Sequence, residues 1–268
     1  MIDFVEVKKS TSSDKETLQK AIDHSVETGL YTVVVLGGEW NVDETILIPD
    51  NVRLIFDGAK VNYMGKGFFI TNNNSVTTYK NVIAAEQKGI TISGKNGAEI
   101  IGGTVFLNNL KNCSIEDLTF SDVDYGVALT STIGVKLKRL KFNGCVNGVI
   151  LGTGASDIII NDISGSVEKE FISINNGAFV EYKKLYHPAA VKNVIVRNII
   201  AEAQVLVNVI GVAEKLVFSE INGTASELIF SIKSGKHILI DNVNASGTVI
   251  NEDYPKGQVI IDKKDLTR

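Results

Sequence analysis

Apolar residues recur along the chain in a pattern whose period is close to 22 residues. Each copy ends in an apolar residue that follows two polar ones, as in segment 115–118 (IEDL). The final apolar residues of six copies are Leu118, Leu140, Ile163, Ile199, Ile221 and Val243, with steps of 22, 23, 36, 22 and 22 residues. A fixed period of this length indicates one supersecondary unit per repeat.

A second ladder of short alternating segments runs in phase with the first. Its members are 105–107, 127–129, 149–151 and 172–174, and segments 205–207 and 228–230 continue it. Two strand-like segments per period, separated by Gly, Asn and Ser, are typical of one turn of a parallel β-helix, whose stacked coils share a continuous core. We therefore predict an all-β fold: a single-stranded, right-handed, three-faced parallel β-helix with about 22 residues per coil. A β-sandwich with regularly spaced strands is the alternative.

The N-terminal segment predicts a capping α-helix within residues 12–30. Ser13 and Glu16 have the spacing of a capping box with Ser13 as the N-cap, and Gly29 ends the helix. The apolar positions that share one face of this helix are Leu18, Ala21, Ile22 and Val26. Such a helix would cover the open end of the β-helix, which otherwise exposes the core and unpaired backbone groups.

The whole chain, residues 1–268, is predicted to form one β-helix domain with its coils over 31–260. The first strands are expected at 32–36, 45–48 and 52–56. The 36-residue step in the first ladder exceeds the 22-residue period by 14 residues, which places an inserted loop at 175–190. Insertions in repeat proteins map to one face, often the binding face, so this loop is a candidate functional element.

Composition and charge narrow the function classes. The 268 residues carry a net charge of −4 and are 44% hydrophobic, which suits a folded protein without a basic nucleic-acid footprint. No apolar run is long enough to span a membrane, and the first residues lack the pattern of a secretion signal. We therefore expect no nucleic-acid or membrane partner. The expected location is cytoplasmic for the sequence as given, or secreted or virion-associated if the sequence is truncated.

Three segments resemble the opening of the pectin-lyase-like superfamily: 14–23, 33–40 and 52–59. Members of that superfamily begin with a helix and a strand that lead to a Pro-x-Gly-x-Tyr-like turn. Here the turn is 36–40 (LGGEW), which lacks the proline. The resemblance continues through most of the coils and implies the same right-handed β-helix.

The late coils, at 194–199 and 216–223, are most similar to glycoside hydrolase family 28, the polygalacturonase family. This resemblance implies inverting hydrolysis of an acidic, pectin-like glycan. The family's motifs are not retained, because its Asn-Thr-Asp slot holds 123–125 (VDY), its Asp-Asp slot holds 146–147 (VN) and its Gly-His-Gly slot holds 169–171 (KEF). The family's Arg-x-Lys is also absent from the expected coil. The site is therefore that of a diverged enzyme or of one that has lost its activity.

Acidic residues in these slots are the candidates for catalysis. We predict Asp124 and Glu170 as the catalytic pair, with Glu170 as the general acid and Asp124 activating water. Two coils separate them, about 9–10 Å of backbone spacing. Side chains can bring the carboxyls into the range of about 6.5–9.5 Å that inverting glycosidases use. A solvated acidic surface without catalysis is the alternative.

The predicted substrate-binding residues lie in the same slots and in the inserted loop: Asp122, Tyr125, Asn147, Glu168, Tyr182, Lys183, Lys184, Tyr186 and His187. The tyrosines would stack on sugar rings, and the basic residues would hold a uronate carboxylate. No metal or other cofactor is expected for a hydrolase. Ca²⁺ on the acidic residues is expected only for a polysaccharide lyase, and no arginine base lies at a matching coil position.

Two further functions remain open from the sequence. The altered motif slots favour a carbohydrate-binding β-helix without catalysis. A phage tailspike-like segment, in which similar coils associate as trimers, is the other alternative. In each case the partner is a polysaccharide or oligosaccharide. We expect a monomer for an enzyme or binding module and a trimer for a tailspike-like protein.

Overall fold

The computed structural model describes residues 3–73, 86–179, 190–251, 253 and 255–262. In these residues it contains one helix and seventeen strands, which join a single sheet with parallel pairing throughout. The chain winds through about nine turns of about 22 residues each. The predicted parallel β-helix with an N-terminal helix is confirmed. No helix in the described part of the chain has the length and apolarity that crossing a membrane requires.

The strands lengthen towards the C-terminus, because the later coils continue in extended conformation through their corners. The elements in chain order are β1 Val5–Val7, α1 Asp14–Glu27, β2 Thr32–Val42, β3 Ile46–Ile48, β4 Arg53–Tyr63, β5 Ile70–Asn72, β6 Gln87–Lys88, β7 Thr91–Lys95, β8 Glu99–Ile101, β9 Val105–Glu116, β10 Thr119–Ser121, β11 Tyr125–Lys138, β12 Lys141–Leu151, β13 Ser156–Asn175, β14 Val191–Ile210, β15 Ala213–Ile232, β16 Lys236–Ile250 and β17 Val259–Ile261.

Each coil has three faces. In the coil that begins at Val105, the first face is 105–110, the second is 113–116 and the third is 119–121. Inward side chains alternate with outward ones along each face, as the period of a β-strand requires. The inward residues form one hydrophobic core that runs the length of the solenoid.

The first predicted ladder is confirmed. Its final apolar residues are all buried, and Ile163 pairs with Ile199, which pairs with Ile221 on the next coil. The second ladder is confirmed as far as 172–174 but is wrong at 205–207 and 228–230.

The structure aligns Val207-Asn208-Val209 and Phe230-Ser231-Ile232 with segment 172–174, two residues later than predicted. Irregular pairing between Ser166 and Glu170 changes the offset between the two coils by only one residue, from 36 (Ser166 with Glu202) to 35 (Glu170 with Val205), whereas the predicted ladder needed 33. A shift of two residues keeps every side chain on the same side of the sheet. For this reason the apolar alternation could not distinguish the two registers.

The predicted helix cap is also confirmed. The Ser13 hydroxyl accepts a hydrogen bond from the Glu16 N–H at 3.1 Å. The Gln19 side chain donates to the Leu47 carbonyl at 3.0 Å and accepts from the Leu47 N–H at 2.9 Å. The Asp14 carboxylate accepts from the Asn41 N–H at 2.6 Å. Helix side chains therefore pair backbone groups at the first coil that would otherwise be open to other strands.

Gly165 on the third face allows the coils to approach closely. Its φ is +132°, and a Cβ at this position would lie 1.9 Å from the Phe142 carbonyl oxygen of the preceding coil. Gly38 has a comparable φ of +119°, but a Cβ there would meet no atom within 4 Å. The two glycines therefore separate the cost of backbone strain from the cost of a collision between coils.

We expect Gly165→Ala to lower the free energy of unfolding by about 3 kcal/mol, because the neighbouring coil must move. Gly38→Ala should lower it by only about 1 kcal/mol, the cost of a positive φ alone. Urea unfolding followed by circular dichroism measures both. Equal losses in the two variants would contradict the close approach at Gly165.

Candidate functional site

The corner that joins the third face to the first carries three predicted site residues in one column. Tyr125 pairs with Asn147, and Asn147 pairs with Glu170 on the next coil. The structure therefore brings one residue from each of the three predicted slots into a single column. We call residues 122–125, 144–147 and 167–170 the site corner.

Asn147 ties the three coils of the site corner together. Its side-chain nitrogen donates to the Asp124 carbonyl at 3.1 Å, and its side-chain oxygen accepts from the Glu170 N–H at 3.3 Å. Its own N–H donates to the same Asp124 carbonyl at 3.0 Å. Both ends of the buried amide are thus used to hold backbone in place. The structure gives Asn147 a positioning role, and contact with substrate stays a prediction.

The Glu170 side chain is half-buried and oriented by a residue that the sequence did not predict. The Asn208 side-chain nitrogen donates to Glu170 Oε1 at 2.5 Å, whereas Oε2 has no partner among the described residues. Asn208 is not among the predicted site residues, because the predicted ladder segment ends at Val207, one residue before it. The triplets Ile-Ser-Ile, Val-Asn-Val and Phe-Ser-Ile, each with a central polar residue, were the signal that could have identified it.

Along the first face, the outward row next to the site corner changes from apolar to polar. In coil order it consists of Phe106, Ala128, Ile150, Ser173, Asn208 and Ser231. Ser173 is only 1% exposed and Asn208 only 5%, although both point away from the core. Among the described residues, the Ser173 hydroxyl and the Asn208 side-chain oxygen have no hydrogen-bond partner. Buried polar atoms are nearly always paired, so these two mark a place for a bound water.

The apolar half of this row lies under a cluster of aromatic rings. Phe68 stacks on Phe106 with ring centroids 4.2 Å apart, and Phe179 lies 5.3 Å from Phe106. The Tyr125 ring meets Phe179 edge-on at 5.7 Å. Phe68, Phe179 and Tyr125 are partly exposed, so their rings offer a surface of the kind on which sugars stack.

Tyr125 lies within electrostatic reach of both predicted catalytic carboxyls. Burial raises the pKa of Tyr125, and the negative charges of Asp124 and then Glu170 raise it further. Charges act appreciably on a partly buried phenol only at short range, since solvent screens distant ones. Asp124, Tyr125 and Glu170 therefore belong to one local site.

The remaining acidic residues of the site corner are exposed. Asp122 adopts a left-handed backbone conformation with φ of +53°, and its N–H donates to the Asn143 carbonyl at 3.2 Å. Asp124 and Glu168 are exposed as well. The site corner therefore carries three exposed carboxylates in addition to the half-buried Glu170.

The segment predicted as an inserted loop, 175–190, connects the end of β13 to the start of β14. Its candidate residues Tyr182, Lys183, Lys184, Tyr186 and His187 lie outside the described residues, so their roles stay predictions. No group of three or more potential metal ligands occurs in the described part of the chain.

A separate groove, which the sequence did not predict, lies at the corner between the second and third faces. It has a volume of about 520 Å³ and is lined in part by Lys95, Asp117, Arg139 and Lys141. The Arg139 guanidinium hydrogen-bonds the Asp117 carboxylate and also Glu116, at 3.0 Å. These bonds hold the pKa of Asp117 below its usual value. Because Arg139 is already paired with two carboxylates, the groove is a weaker candidate for an anion site than its arginine suggests.

No family model matches the chain, and a search of curated proteins found no match. Solved structures do match at the level of the fold. An iota-carrageenase bound to iota-carrageenan fragments is 14% identical, with a TM-score of 0.62 over 89% of this chain. The iota-carrageenase from A. fortis is also 14% identical, with a TM-score of 0.63 over 89% of this chain. A Parabacteroides merdae protein, named as a candidate glycosyl hydrolase, is 14% identical with a TM-score of 0.57 over 74% of this chain.

The chain spans 55% and 56% of the two carrageenases and 96% of the Parabacteroides merdae protein. At these identities the likeness establishes the parallel β-helix fold that this chain shares with polysaccharide hydrolases. It assigns the chain to no glycoside hydrolase family, including the polygalacturonase family that the sequence resembles.

We expect Asp124→Asn and Glu170→Gln each to lower the pKa of Tyr125, because loss of a nearby negative charge favours the phenolate. The fall should be larger in Asp124→Asn, since Asp124 contributes more to the rise. NMR of protein labelled with ¹³Cζ-tyrosine follows the titration, and Tyr125→Phe assigns the signal. Glu168→Gln is the matched control, since Glu168 is not among the charges that act on Tyr125. An unchanged Tyr125 titration in both test variants would contradict this geometry.

Proposed function

We propose that this chain binds a polysaccharide along its first face and hydrolyses it at the site corner, with Glu170 and Asp124 as the acid/base pair. The observation that carries the proposal is the contact between Asn208 and Glu170. It fixes a half-buried carboxyl beside a group of partly exposed aromatic rings. Carbohydrate sites combine these same elements: flat apolar surface and positioned carboxyls.

Glu170 is suited to the role of general acid. Its carboxyl is half-buried and held in one orientation by Asn208, as a group that transfers a proton to a bound sugar must be. Because Oε1 accepts the hydrogen bond from Asn208, the proton is directed to Oε2, the oxygen without a partner among the described residues. Glu170 would then deliver this proton to the leaving glycosidic oxygen.

Asp124 is suited to activating the attacking water. It is exposed, so water reaches it freely, and it precedes Tyr125 on the coil two rungs from Glu170. Two rungs correspond to about 9.6 Å of backbone spacing. That separation leaves room for water between the carboxyls, the arrangement that gives inversion at the anomeric carbon.

The outward row of the first face would hold the sugar units on either side. Rings at Phe68, Phe179 and Tyr125 offer stacking surface for these units. An acidic, pectin-like glycan is the proposed substrate class. Lys183, Lys184 and His187 of the inserted loop would supply the cations for its carboxylates, as in the polygalacturonase-like reading of the sequence.

Carbohydrate binding without catalysis is the second candidate. One observation favours it: the slot that holds an acidic pair in the polygalacturonase family holds Asn147 here, and its amide is committed to the backbone. On this reading Glu170 and Asn208 bind sugar hydroxyls and no bond is cleaved. The two candidates predict the same ligand but different products.

We expect release of reducing ends, without unsaturated products, from polygalacturonate or another acidic polysaccharide in a panel tested with and without Ca²⁺. Glu170→Gln and Asp124→Asn should each lower kcat by about 10²- to 10⁴-fold, the usual contribution of an acid or base. Both variants should still bind the glycan, as measured by isothermal titration calorimetry. Proton NMR of the first product should show inverted anomeric configuration.

Glu202→Gln is the control, since Glu202 is an exposed carboxylate on the third face that lies outside the site corner and outside the predicted substrate-binding residues. Hydrolysis that survives both test substitutions would remove Asp124 and Glu170 from the mechanism. Glycan binding with no cleavage across the panel would establish the binding function instead. Unsaturated products would show a lyase and contradict hydrolysis.

A further inference from the structure

A stripe of aliphatic side chains runs along the second face in the C-terminal half of the solenoid. Its members, paired in register on five successive coils, are Ile159, Ile195, Val217, Leu239 and Ile260. Ile195 is 40% exposed, Leu239 39% and Ile260 66%, because all five point away from the core.

The stripe is confined to these coils. On the preceding coils the same outward column carries Lys136, Ser114 and Thr91. Single exposed aliphatic residues need no explanation, but a contiguous exposed apolar row marks a contact surface. The abrupt change from lysine to isoleucine therefore sets one end of such a surface.

We propose that this stripe is the contact surface between two copies of the chain, packed face to face and antiparallel about a twofold axis through Val217. The inference is independent of the proposed enzymatic function. A second copy is favoured over another protein because the stripe and its charged flank are complementary to themselves under this symmetry.

The symmetry determines which residues meet. A twofold axis in the interface and perpendicular to the solenoid reverses the order of the coils, while each lengthwise row faces its own copy. Val217 then faces Val217 of the second copy. Ile195 faces Leu239, and Ile159 faces Ile260, so all five aliphatic residues are covered.

The row beside the stripe is charged in the same complementary way. Arg197 lies on the coil of Ile195, and Asp241 lies on the coil of Leu239, one coil on either side of Val217. Antiparallel packing brings Arg197 against Asp241 of the second copy, and the reverse pair forms at the other end. Among the described residues of one chain, Arg197 donates only to Asn161, at 3.1 Å, and it is two coils away from Asp241.

The opposite flank is less favourable and limits the affinity. Lys215 would face its own copy, although this exposed side chain can extend into solvent. Five coils and three rows cover only about 19 by 13 Å per copy. Such a contact, about 500 Å² over both copies, falls below the roughly 1,000 Å² that a stable interface exceeds, so we expect a weak and readily reversible dimer.

Cysteine substitution tests the axis directly. Val217→Cys should form a disulfide-linked dimer under mild oxidation, because the two thiols meet at the axis. Ile195→Cys alone should not, whereas a mixture of Ile195→Cys and Leu239→Cys proteins should give the mixed dimer. Native Cys113 and Cys145 are buried, and burial raises the pKa of each thiol to about 11, so they should not compete.

Charge exchange tests the pairing without cysteine chemistry. In sedimentation velocity at about 100 μM, Arg197→Asp and Asp241→Arg should each weaken the dimer at least about tenfold. The double variant should restore it, because the opposite charges again face each other. Ile200→Lys is the matched surface control, since Ile200 is 61% exposed but lies on the third face. Circular dichroism confirms that each variant is folded.

Four results would overturn the proposal. A chain that stays monomeric at about 500 μM has no such contact. Crosslinking of Ile195→Cys with itself would show that the copies run parallel. A trimer in sedimentation would exclude the twofold axis. Failure of the double charge variant to recover the dimer would show that Arg197 and Asp241 do not meet.

Discussion

The parallel register between neighbouring coils is the constraint on which the rest of this structure depends. A hydrophobic core one coil thick is not stable alone, so each coil gains its stability from the coil on either side. The same register stacks residues that are about 22 positions apart into columns. Tyr125, Asn147 and Glu170 come together in this way, although the chain between them makes two full circuits.

Residues that hold the register are also residues that shape the site. The Asn147 amide links the Asp124 carbonyl to the Glu170 N–H, so it fixes the height of one candidate carboxyl relative to the other. Asn208 does the same for the Glu170 side chain from the opposite direction. In a solenoid, the contacts that hold a functional group in place are therefore the same contacts that pack the coils together.

The sequence predicted the elements that depend on local pattern and missed one that depends on long-range register. Ser13 and the apolar helix face identified the cap, because capping and amphipathicity are read within one turn of helix. The first ladder was found because its spacing is regular. Asn208 was missed because a register shift of two residues leaves the same side chains pointing inward, so the apolar pattern is the same in both registers. Asn208 lies opposite Ser173 on the neighbouring coil, a pairing that the sequence shows only when the triplets with a central polar residue are aligned.

The extra residues between β13 and β14 have a consequence for folding energetics. The cost in chain entropy of closing a loop grows only with the logarithm of its length. Lengthening the step between two coils from 22 to 36 residues therefore raises that cost by only about 0.4 kcal/mol. The solenoid can thus acquire or exchange a segment of this size at the edge of the candidate site with little loss of stability. Ligand preference can diversify through this one connection while the stacked coils stay as they are.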